Sequence, residues 1–172
     1  MKTPEQLAEV ALKAKKLDSV KHIVLTTGSD RPPGKEIGYL SRCASAIKEA
    51  TGLPIHAQFL PPSEPDRIFE LKEAGVDTVG VHIDSFDFEI LSRVAPIKAS
   101  IALNRYEETW KMAVDLFGPN QVSSFLLVGL GEKANSVIWG SEFLADLGVY
   151  PLIVPLRPIP RSLMEDSIPP DP

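Results

Sequence analysis

The most restrictive feature of the sequence is a regular alternation of apolar, strand-like runs with helix-like segments. Predicted strands begin near residues 22, 54, 78, 97, 121 and 151, so that 19 to 32 residues separate one start from the next. Each interval has room for one helix and two short loops. Strands and helices that alternate in this way form right-handed βαβ units around a parallel sheet.

Local patterns place the individual elements within this alternation. Strands are predicted at 22–28, 54–60, 78–84, 97–103, 122–128 and 150–156, with a helix after each of the first five. A further helix precedes the first strand, because the run Thr3 to Gln6 is typical of a capped helix start with a proline at its first position. Helical spacing predicts that this first helix buries Leu7, Val10, Ala14 and Leu17.

Two architectures fit such a series, an open doubly wound sheet and a (β/α) barrel. A complete eight-stranded barrel needs about 250 residues, whereas this chain has 172. We therefore predict an α/β fold, a partial TIM barrel of about six parallel strands alternating with helices, over residues 1–157. A proline-rich tail is predicted at 158–172. Because the series opens on a helix that no strand precedes, we also expect a missing N-terminal segment, either truncated or removed from this chain.

Composition narrows the function. The net charge of −5 and the lack of a lysine and arginine cluster argue against binding to nucleic acid. No run approaches the roughly 18 apolar residues of a membrane span, and the first residues are amphipathic and charged rather than signal-like. A cytoplasmic location is therefore expected. Cys43 is the single cysteine, which excludes an intrachain disulfide and a metal site made of cysteines alone.

Polar or glycine-rich residues follow the predicted strands at their carboxyl ends. That edge of a parallel sheet is where α/β proteins bind their ligands. The apolar run from Phe125 to Val128, for example, stops at Gly129-Leu130-Gly131-Glu132 just before a predicted helix, and so exposes its backbone at this edge. The complete set of candidates is Thr26, Thr27, Gly28, Ser29, Asp30, His56, Gln58, His82, Asp84, residues 129–132 and Arg157.

Each candidate also has an ordinary structural reading. A histidine within a strand, such as His56 or His82, is more often a hydrogen-bonded structural residue than a ligand. His82 and Asp84 have no third partner at a suggestive spacing, so no metal site is predicted. The run Gly129 to Glu132 lacks the third glycine of a dinucleotide fingerprint, and Glu132 also suits the first turn of a helix. No catalytic residue is predicted.

Together, the residues resemble the core of a radical S-adenosylmethionine (radical SAM) enzyme, nearest the biotin synthase and lipoyl synthase branch. The run Val24 to Arg31 resembles the second strand of that family, and Gly75 to Asp84 resembles the fourth strand and its approach. The run Val128 to Glu132 resembles the second half of the fifth-strand motif Gly-x-Ile-x-Gly-x-x-Glu. The run Pro158 to Leu163 resembles the sixth-strand Pro-x-Pro-Gly-Thr-x-Leu segment.

The resemblance implies a cofactor and a set of contacts. In the family, a reduced 4Fe–4S cluster cleaves bound S-adenosylmethionine to a radical that abstracts hydrogen from a substrate. The second strand holds the amino group of the methionine moiety, the fourth lies near the ribose, and the fifth borders the adenine. The resemblance therefore implies cofactor contacts at Thr26, Thr27, Gly28, Gln58, His82, Asp84, Val128, Gly129, Leu130 and Glu132. Contacts with a small-molecule or cofactor-precursor substrate are assigned to His56 and Arg157.

The chain also departs from the family pattern. The Cys-x-x-x-Cys-x-x-Cys segment that holds the cluster is absent, and one cysteine cannot hold a 4Fe–4S cluster. We therefore predict that residues 1–172 are inactive alone and belong to a longer enzyme. Phe125 stands where the fifth-strand motif has its first glycine and is expected to crowd the adenine contact. Leu127 replaces the isoleucine of that motif, and Arg161 replaces the glycine of the sixth-strand segment.

Two other functions fit the same sequence. One is a cluster-independent barrel lyase or aldolase, for which Lys98 is the nearest Schiff-base candidate. The other is a non-catalytic half-barrel that binds a nucleoside or a partner chain. An open first or last strand favours pairing, either in a homo-oligomer or with the missing N-terminal segment.

Overall fold

The strands form one parallel sheet whose spatial order follows the order of the chain. The computed structural model describes residues 2–28 and 35–170. In this part of the chain the strands are β1 (Ile23–Thr26), β2 (Ile55–Gln58), β3 (Thr78–Gly80), β4 (Val122–Val128) and β5 (Val149–Pro155), arranged β1-β2-β3-β4-β5. A doubly wound sheet reverses its strand order at a switch point. The sequential order therefore decides in favour of the predicted partial (β/α) barrel.

Helices precede β1 and fill the intervals between strands, as predicted. They are α1 (Pro4–Leu17), α2 (Lys35–Thr51), α3 (Ile68–Glu73), α4 (Phe88–Val94), α5 (Pro96–Ala99), α6 (Leu103–Phe117) and α7 (Ala134–Asp146), with a 3₁₀ turn at Pro65–Arg67. The start of α1 is the predicted capping box, in which Thr3 and Gln6 exchange hydrogen bonds between side chain and backbone.

The predicted strand at 97–103 is wrong, so the described part of the chain contributes five strands to the sheet rather than six. Pro96 opens α5 instead, and Leu103 already begins α6. Proline fixes a backbone angle that suits the first position of a helix, and Ile101 N then donates to Lys98 O at 3.1 Å in a helical turn. The resemblance agrees with this result, because its fourth and fifth strands correspond to β3 and β4 and leave no strand between them.

The predicted apolar face of α1 is only partly right, because Leu7 packs partly buried against the core but two of the other residues do not. Val10 and Leu17 are 62% and 79% exposed, whereas Ala8 and Ala11 are buried. The helix packs chiefly against α2, and small side chains at such a contact allow two helices to approach closely. Helical spacing therefore identified the helix, while residue size decided which face packs.

The two faces of the sheet have different roles. One face packs against the helices and forms the core, which includes Leu25, Ile55, Ala57, Val79, Leu126 and Trp110. Because side chains alternate along a strand, the intervening residues lie on the opposite, concave face, which includes His56, Gln58, Gly80 and Phe125. This concave face is only partly covered, and it carries apolar residues such as Val24 and Leu152 as well as polar ones. Among the described residues, no helix is long and apolar enough to cross a membrane.

The outer edge of β5 carries prolines. Leu156 N donates to Val128 O at 2.8 Å, so even-numbered residues of β5 direct their backbone groups towards β4. Pro151 and Pro155 therefore occupy positions whose nitrogen faces away from the sheet. From 156 to 170 the chain forms turns but no helix or strand, and the division into a barrel and a tail at residue 157 stays a prediction.

Candidate active site

A cavity of about 240 Å³ lies at the carboxyl edge of β1, β2 and β3. Six of the predicted cofactor contacts line it, namely Thr26, Thr27, Gly28, Gln58, His82 and Asp84. Its other walls are formed by Glu36, Phe59, Leu60, Lys98 and Phe125. Three strand ends thus bring hydroxyl, amide, imidazole, carboxylate and ammonium groups to one place.

A bulge after β3 shapes this cavity. Val81 N donates to Ser123 O at 2.9 Å, but the next backbone hydrogen bond runs from Asp84 N to Phe125 O at 3.1 Å. Three residues on one strand therefore correspond to two on its neighbour, which is the definition of a β-bulge. Asp84 has a φ of 72°, an uncommon conformation for a residue other than glycine. Bulges and such outliers re-aim side chains and cluster at functional sites.

Side chains satisfy the backbone groups that the bulge leaves without partners in the ladder. Ser124 Oγ, which is fully buried, accepts a hydrogen bond from Ile83 N at 3.1 Å. Trp110 Nε1 reaches from α6 and donates to Val81 O at 3.0 Å. Buried backbone groups are costly when unpaired, so these contacts allow the sheet to open at its carboxyl end.

His82 is held rigidly at the same place. Its Nδ1 accepts a hydrogen bond from Phe125 N at 3.1 Å, and its ring stacks on the Phe125 ring with 3.8 Å between centroids and 1° between planes. Gly80 makes room for the ring, because a Cβ atom at residue 80 would lie 2.6 Å from His82 Cε1 and Nε2. Since Nδ1 is an acceptor, the neutral ring carries its proton on Nε2, which is buried without a hydrogen-bond partner in the described part of the chain.

Burial keeps both concave-face histidines neutral. Removal from water, followed by the charge of Lys98 and a further electrostatic effect of His56, lowers the pKa of His82 from 6.5 to about 3. His56 Nδ1 lies 2.7 Å from Thr78 Oγ1, and burial with a smaller effect of His22 lowers its pKa as well. His56 is thus a hydrogen-bonded strand residue below the cavity, and its predicted substrate contact stays a prediction.

Asp84 is paired with Lys98 at the cavity wall. Lys98 Nζ donates to Asp84 Oδ2 at 2.5 Å, and the two side chains are 20% and 15% exposed. Tyr106, on α6, is fully buried with no hydrogen-bond partner for its hydroxyl among the described residues. Burial, and then the negative charge of Asp84, raise the pKa of Tyr106, so its phenol stays protonated.

The loop after β4 is organised by its own glutamate. Glu132 accepts hydrogen bonds from Gly129 N at 2.9 Å and from Leu130 N at 2.8 Å. Arg93 adds a hydrogen bond to Leu130 O at 3.1 Å. Because both carboxylate oxygens are engaged by the loop, Glu132 acts first as a backbone clamp, and its predicted cofactor contact stays a prediction.

Residues 128–132 and Arg157 lie apart from the walls of the 240 Å³ cavity. Val128 and Arg157 line a separate, mainly apolar cleft of about 670 Å³ with Pro169 and Pro170 of the tail. Pro170 covers Gly129 so closely that a Cβ atom at residue 129 would lie 2.7 Å from the proline ring. The structure therefore does not bring the predicted adenine-side residues together with the residues of β1 to β3.

Glu36 is the main site residue that sequence reasoning missed. It lies in the first turn of α2, is 5% exposed, and its Oε2 atom has no hydrogen-bond partner among the described residues. An acid in the first turn of a helix has the ordinary explanation of a favourable helix dipole. The one available signal was its position at the start of the helix that follows a candidate strand. Ser29 and Asp30, also predicted, lie outside the described residues.

The residues present do not fit an iron–sulfur cluster. Cys43 lies in α2, is 1% exposed, and burial raises its pKa. Cluster iron is held by several thiolates, and within residues 2–28 and 35–170 no group of three histidine, cysteine or acidic side chains is placed to hold a metal ion. Any cluster would need ligands other than these.

The fold has solved counterparts. The structure of methylornithine synthase is similar with a TM-score of 0.72 and 17% identity, over 94% of this chain and 46% of that chain. Active domain 2 of a chitinase from Pyrococcus furiosus is similar with a TM-score of 0.55 and 12% identity, over 89% of this chain and 55% of that chain. At these identities the likeness concerns the fold alone.

The sequence comparisons identify the family. Bacteriochlorophyllide c C-7(1)-hydroxylase of Chlorobaculum limnaeum is 28% identical over 121 residues, which are 69% of this chain and 30% of that protein. The chain thus spans about a third of the length of this curated relative and about half of the two solved chains. The model of the radical SAM superfamily matches residues 1–138. Since this match covers well over half of the sequence, the chain belongs to the radical SAM superfamily.

Proposed function

We propose that this chain forms most of the core of a radical SAM enzyme, as the S-adenosylmethionine cradle and part of the substrate wall. The observation that carries the proposal is the convergence of Thr26, Gln58 and Asp84 from three strand ends on one cavity. A cavity that joins a few polar groups with an apolar wall is typical of small-molecule sites. The enzyme is proposed to be cytoplasmic and to act on a small molecule or a cofactor precursor.

The donor set of the cavity fits S-adenosylmethionine. The cofactor carries a cationic sulfonium, an α-amino acid head and ribose hydroxyls, and the cavity offers the carboxylate of Glu36, the ammonium of Lys98 and the amide of Gln58. When bound next to a reduced 4Fe–4S cluster, the cofactor supplies radical chemistry. The chain's own residues would bind and orient it, and Phe59, Leu60 and Phe125 would exclude water from that side.

The cluster-binding segment is proposed to lie outside these 172 residues, so that the chain alone is inactive. After reconstitution with iron and sulfide under reducing conditions, the purified chain is expected to form no 5′-deoxyadenosine from S-adenosylmethionine. Turnover above a protein-free control would contradict this part of the proposal.

Binding tests the cradle itself. Isothermal titration is expected to detect S-adenosylmethionine, and Gln58→Leu is expected to weaken it by roughly tenfold, the effect of one lost hydrogen bond. Gln121→Leu, at an exposed position far from the cavity, is the matched control. Failure of the wild-type chain to bind, or equal binding by the two variants, would reject the cradle.

The geometry gives less support to the lyase or aldolase alternative. Lys98 does reach the cavity, but from α5 rather than a strand, and its ammonium is paired with Asp84 at 2.5 Å. A Schiff-base lysine must lose its proton before it attacks, and an adjacent carboxylate stabilises the charged form. A non-catalytic half-barrel that binds a nucleoside would bind S-adenosylmethionine but would give no reaction in the intact protein.

A further inference from the structure

The cleft at the ends of β4 and β5 combines an apolar lining with one charge. Its volume is about 670 Å³, which is within the usual range for a site that encloses a small molecule. Arg157 is the one charged or polar side chain among the described residues that line it, and the others are Val128, Pro155, Leu156, Pro158, Pro169 and Pro170. The cleft therefore offers an apolar surface with one cationic end.

The backbone around this cleft has few donors left for a ligand. Glu132 takes the N–H groups of Gly129 and Leu130 at 2.9 and 2.8 Å. Leu156 N donates to Val128 O at 2.8 Å, where the two strands end. Four of the seven lining residues are prolines, which have no N–H group. A ligand body that carries several hydrogen-bond acceptors would leave them unpaired here, at a cost in free energy.

The walls of the cleft are rigid. The proline rings have no side-chain rotamers to lose when a ligand binds. Pro170 lies directly on Gly129, where a Cβ atom would lie 2.7 Å from the proline ring. The tail before Pro170 is held in turns, for example by the hydrogen bond from Arg161 N to Glu165 Oε2 at 2.7 Å. Preformed apolar walls bind a rigid apolar body with a small loss of conformational entropy.

The guanidinium group of Arg157 is available to a ligand. The residue is exposed and makes no hydrogen bond or ion pair within the described part of the chain. A guanidinium group presents its donors as a planar fork that matches the two oxygens of a carboxylate. A phosphate would need further donors for its additional oxygens and charge, and the neighbouring amides of Gly129 and Leu130 are already taken. The cationic end of the cleft therefore suits a carboxylate best.

We propose that this cleft binds a small carboxylic acid with a rigid, largely apolar body. The body lies between the prolines of the tail and the ends of β4 and β5, and Arg157 donates to the carboxylate. The site does not depend on a cofactor, but its role as a substrate wall rests on the proposed function. In that role the acid is the substrate class, and it binds together with S-adenosylmethionine because the cleft is separate from the 240 Å³ cavity.

The test compares probes that share one apolar body and differ in the head group. The probes are 1-pyrenebutanoate, 1-pyrenebutanol and 1-pyrenebutylamine, and their binding is measured by pyrene fluorescence. The wild-type chain is expected to bind the acid about tenfold or more tighter than the alcohol, the effect of a charge-assisted hydrogen bond. The amine is expected to bind more weakly than the alcohol, because its charge repels Arg157. Butanoate, which lacks the body, is expected to bind about 100-fold or more weaker than the pyrene acid.

Two variants separate the head from the body. Arg157→Met is expected to reduce the affinity for the acid to that for the alcohol and to leave the alcohol unchanged. Its control is Arg161→Met, exposed in the same tail but outside the cleft. Leu156→Ala is expected to weaken the acid and the alcohol by the same factor, roughly fivefold. Its control is Leu163→Ala, which removes a fully exposed side chain of the tail and should change neither affinity.

Titration with S-adenosylmethionine separates this inference from the proposed function. Binding of the acid to chain saturated with S-adenosylmethionine, with unchanged or higher affinity, supports both. If S-adenosylmethionine fails to bind while the preference for the acid still depends on Arg157, the proposed function is wrong and this inference stands. If S-adenosylmethionine binds as proposed while the acid and the alcohol bind equally, this inference is wrong and the proposed function stands.

Three results overturn the inference. The first is a wild-type chain that binds none of the pyrene probes or does not prefer the acid to the alcohol, a comparison that needs no substitution and holds even where a variant fails to fold. The second is a preference for the acid that survives Arg157→Met. The third is mutual exclusion of the acid and S-adenosylmethionine, because the cleft would then be part of the cofactor site.

Discussion

His82 allows a quantitative prediction about acid sensitivity. His82 is 9% exposed, its ring stacks on Phe125, and its Nε2 atom lacks a hydrogen-bond partner among the described residues. The folded protein therefore keeps the imidazole neutral. Burial lowers its pKa from 6.5 to about 3. Below pH 6.5 the unfolded chain therefore binds a proton that the folded chain does not. The free energy of unfolding therefore has its full value above pH 6.5 and decreases as the pH drops towards 3.

The size of the effect follows from the two pKa values. At pH 5, an unfolded imidazole with a pKa of 6.5 is about 97% protonated, and keeping its folded counterpart neutral costs about 2 kcal/mol relative to pH 7. This figure depends little on the folded value, because any folded pKa below about 4 gives nearly the same result at pH 5. The prediction therefore tests whether the folded protein buries a neutral ring.

The assay is urea unfolding of wild type and His82→Gln at pH 7 and pH 5, with the free energy of unfolding extrapolated to water. The wild-type chain is expected to lose about 2 kcal/mol more than the variant over this interval. Gln121→Leu, at an exposed position far from the cavity, is the control and should keep the wild-type dependence. Equal losses in wild type and His82→Gln would refute the reasoning, and so would an NMR titration that placed His82 near 6.5 in the folded state.

Three further predictions concern packing around the site. Gly80→Ala is expected to destabilise the fold by about 1–3 kcal/mol, because its methyl group would lie 2.6 Å from His82 and 2.9 Å from His56. Its control is Gly38→Ala, inside α2, where the methyl group would meet the flexible end of Arg67 at 3.3 Å. This control should be neutral or stabilising in the same urea assay. Glu132→Gln removes one of two charge-assisted hydrogen bonds to the loop after β4, so hydrogen exchange of the Gly129 and Leu130 amides should accelerate by roughly tenfold; unchanged exchange would reject the clamp. Trp110→Phe leaves Val81 O without its donor and should lower the free energy of unfolding, measured with heat or urea, by about 2–4 kcal/mol. Tyr106→Phe removes a buried hydroxyl without a hydrogen-bond partner among the described residues and should raise stability or leave it unchanged. The reverse order of the two variants would contradict both assignments.

Much of the fold was predictable because periodic patterns survive in the structure. The apolar run of β4 and the helix α7 after it appear where strand and helix patterns placed them. The segment 97–103 failed because its alternation of apolar residues resembles a strand, while Pro96 determines the backbone as a helix start. Local patterns give the type of an element well when no proline overrides them.

The site was less predictable because it depends on relations between strands. The bulge at Asp84 exists only in the pairing of β3 with β4, and no local pattern encodes that register. Phe125 was expected to crowd the adenine contact, which stays a prediction, and only the structure reveals that His82 stacks on its ring. Glu36 was overlooked because an acid early in a helix is common on the surface, and only the structure reveals that this one is buried.

The prolines of β5 make the two edges of the sheet unequal in their ability to pair with a further strand. A strand that adds to an edge needs free backbone N–H groups there, and Pro151 and Pro155 remove two of the four outward donors that β5 would otherwise offer. At the opposite edge, Ile23 N donates to Pro54 O, so that Val24 and Thr26 direct their backbone groups away from β2. Pairing with a further strand is therefore less favourable at β5 than at β1, the edge where Thr26 also meets the cavity.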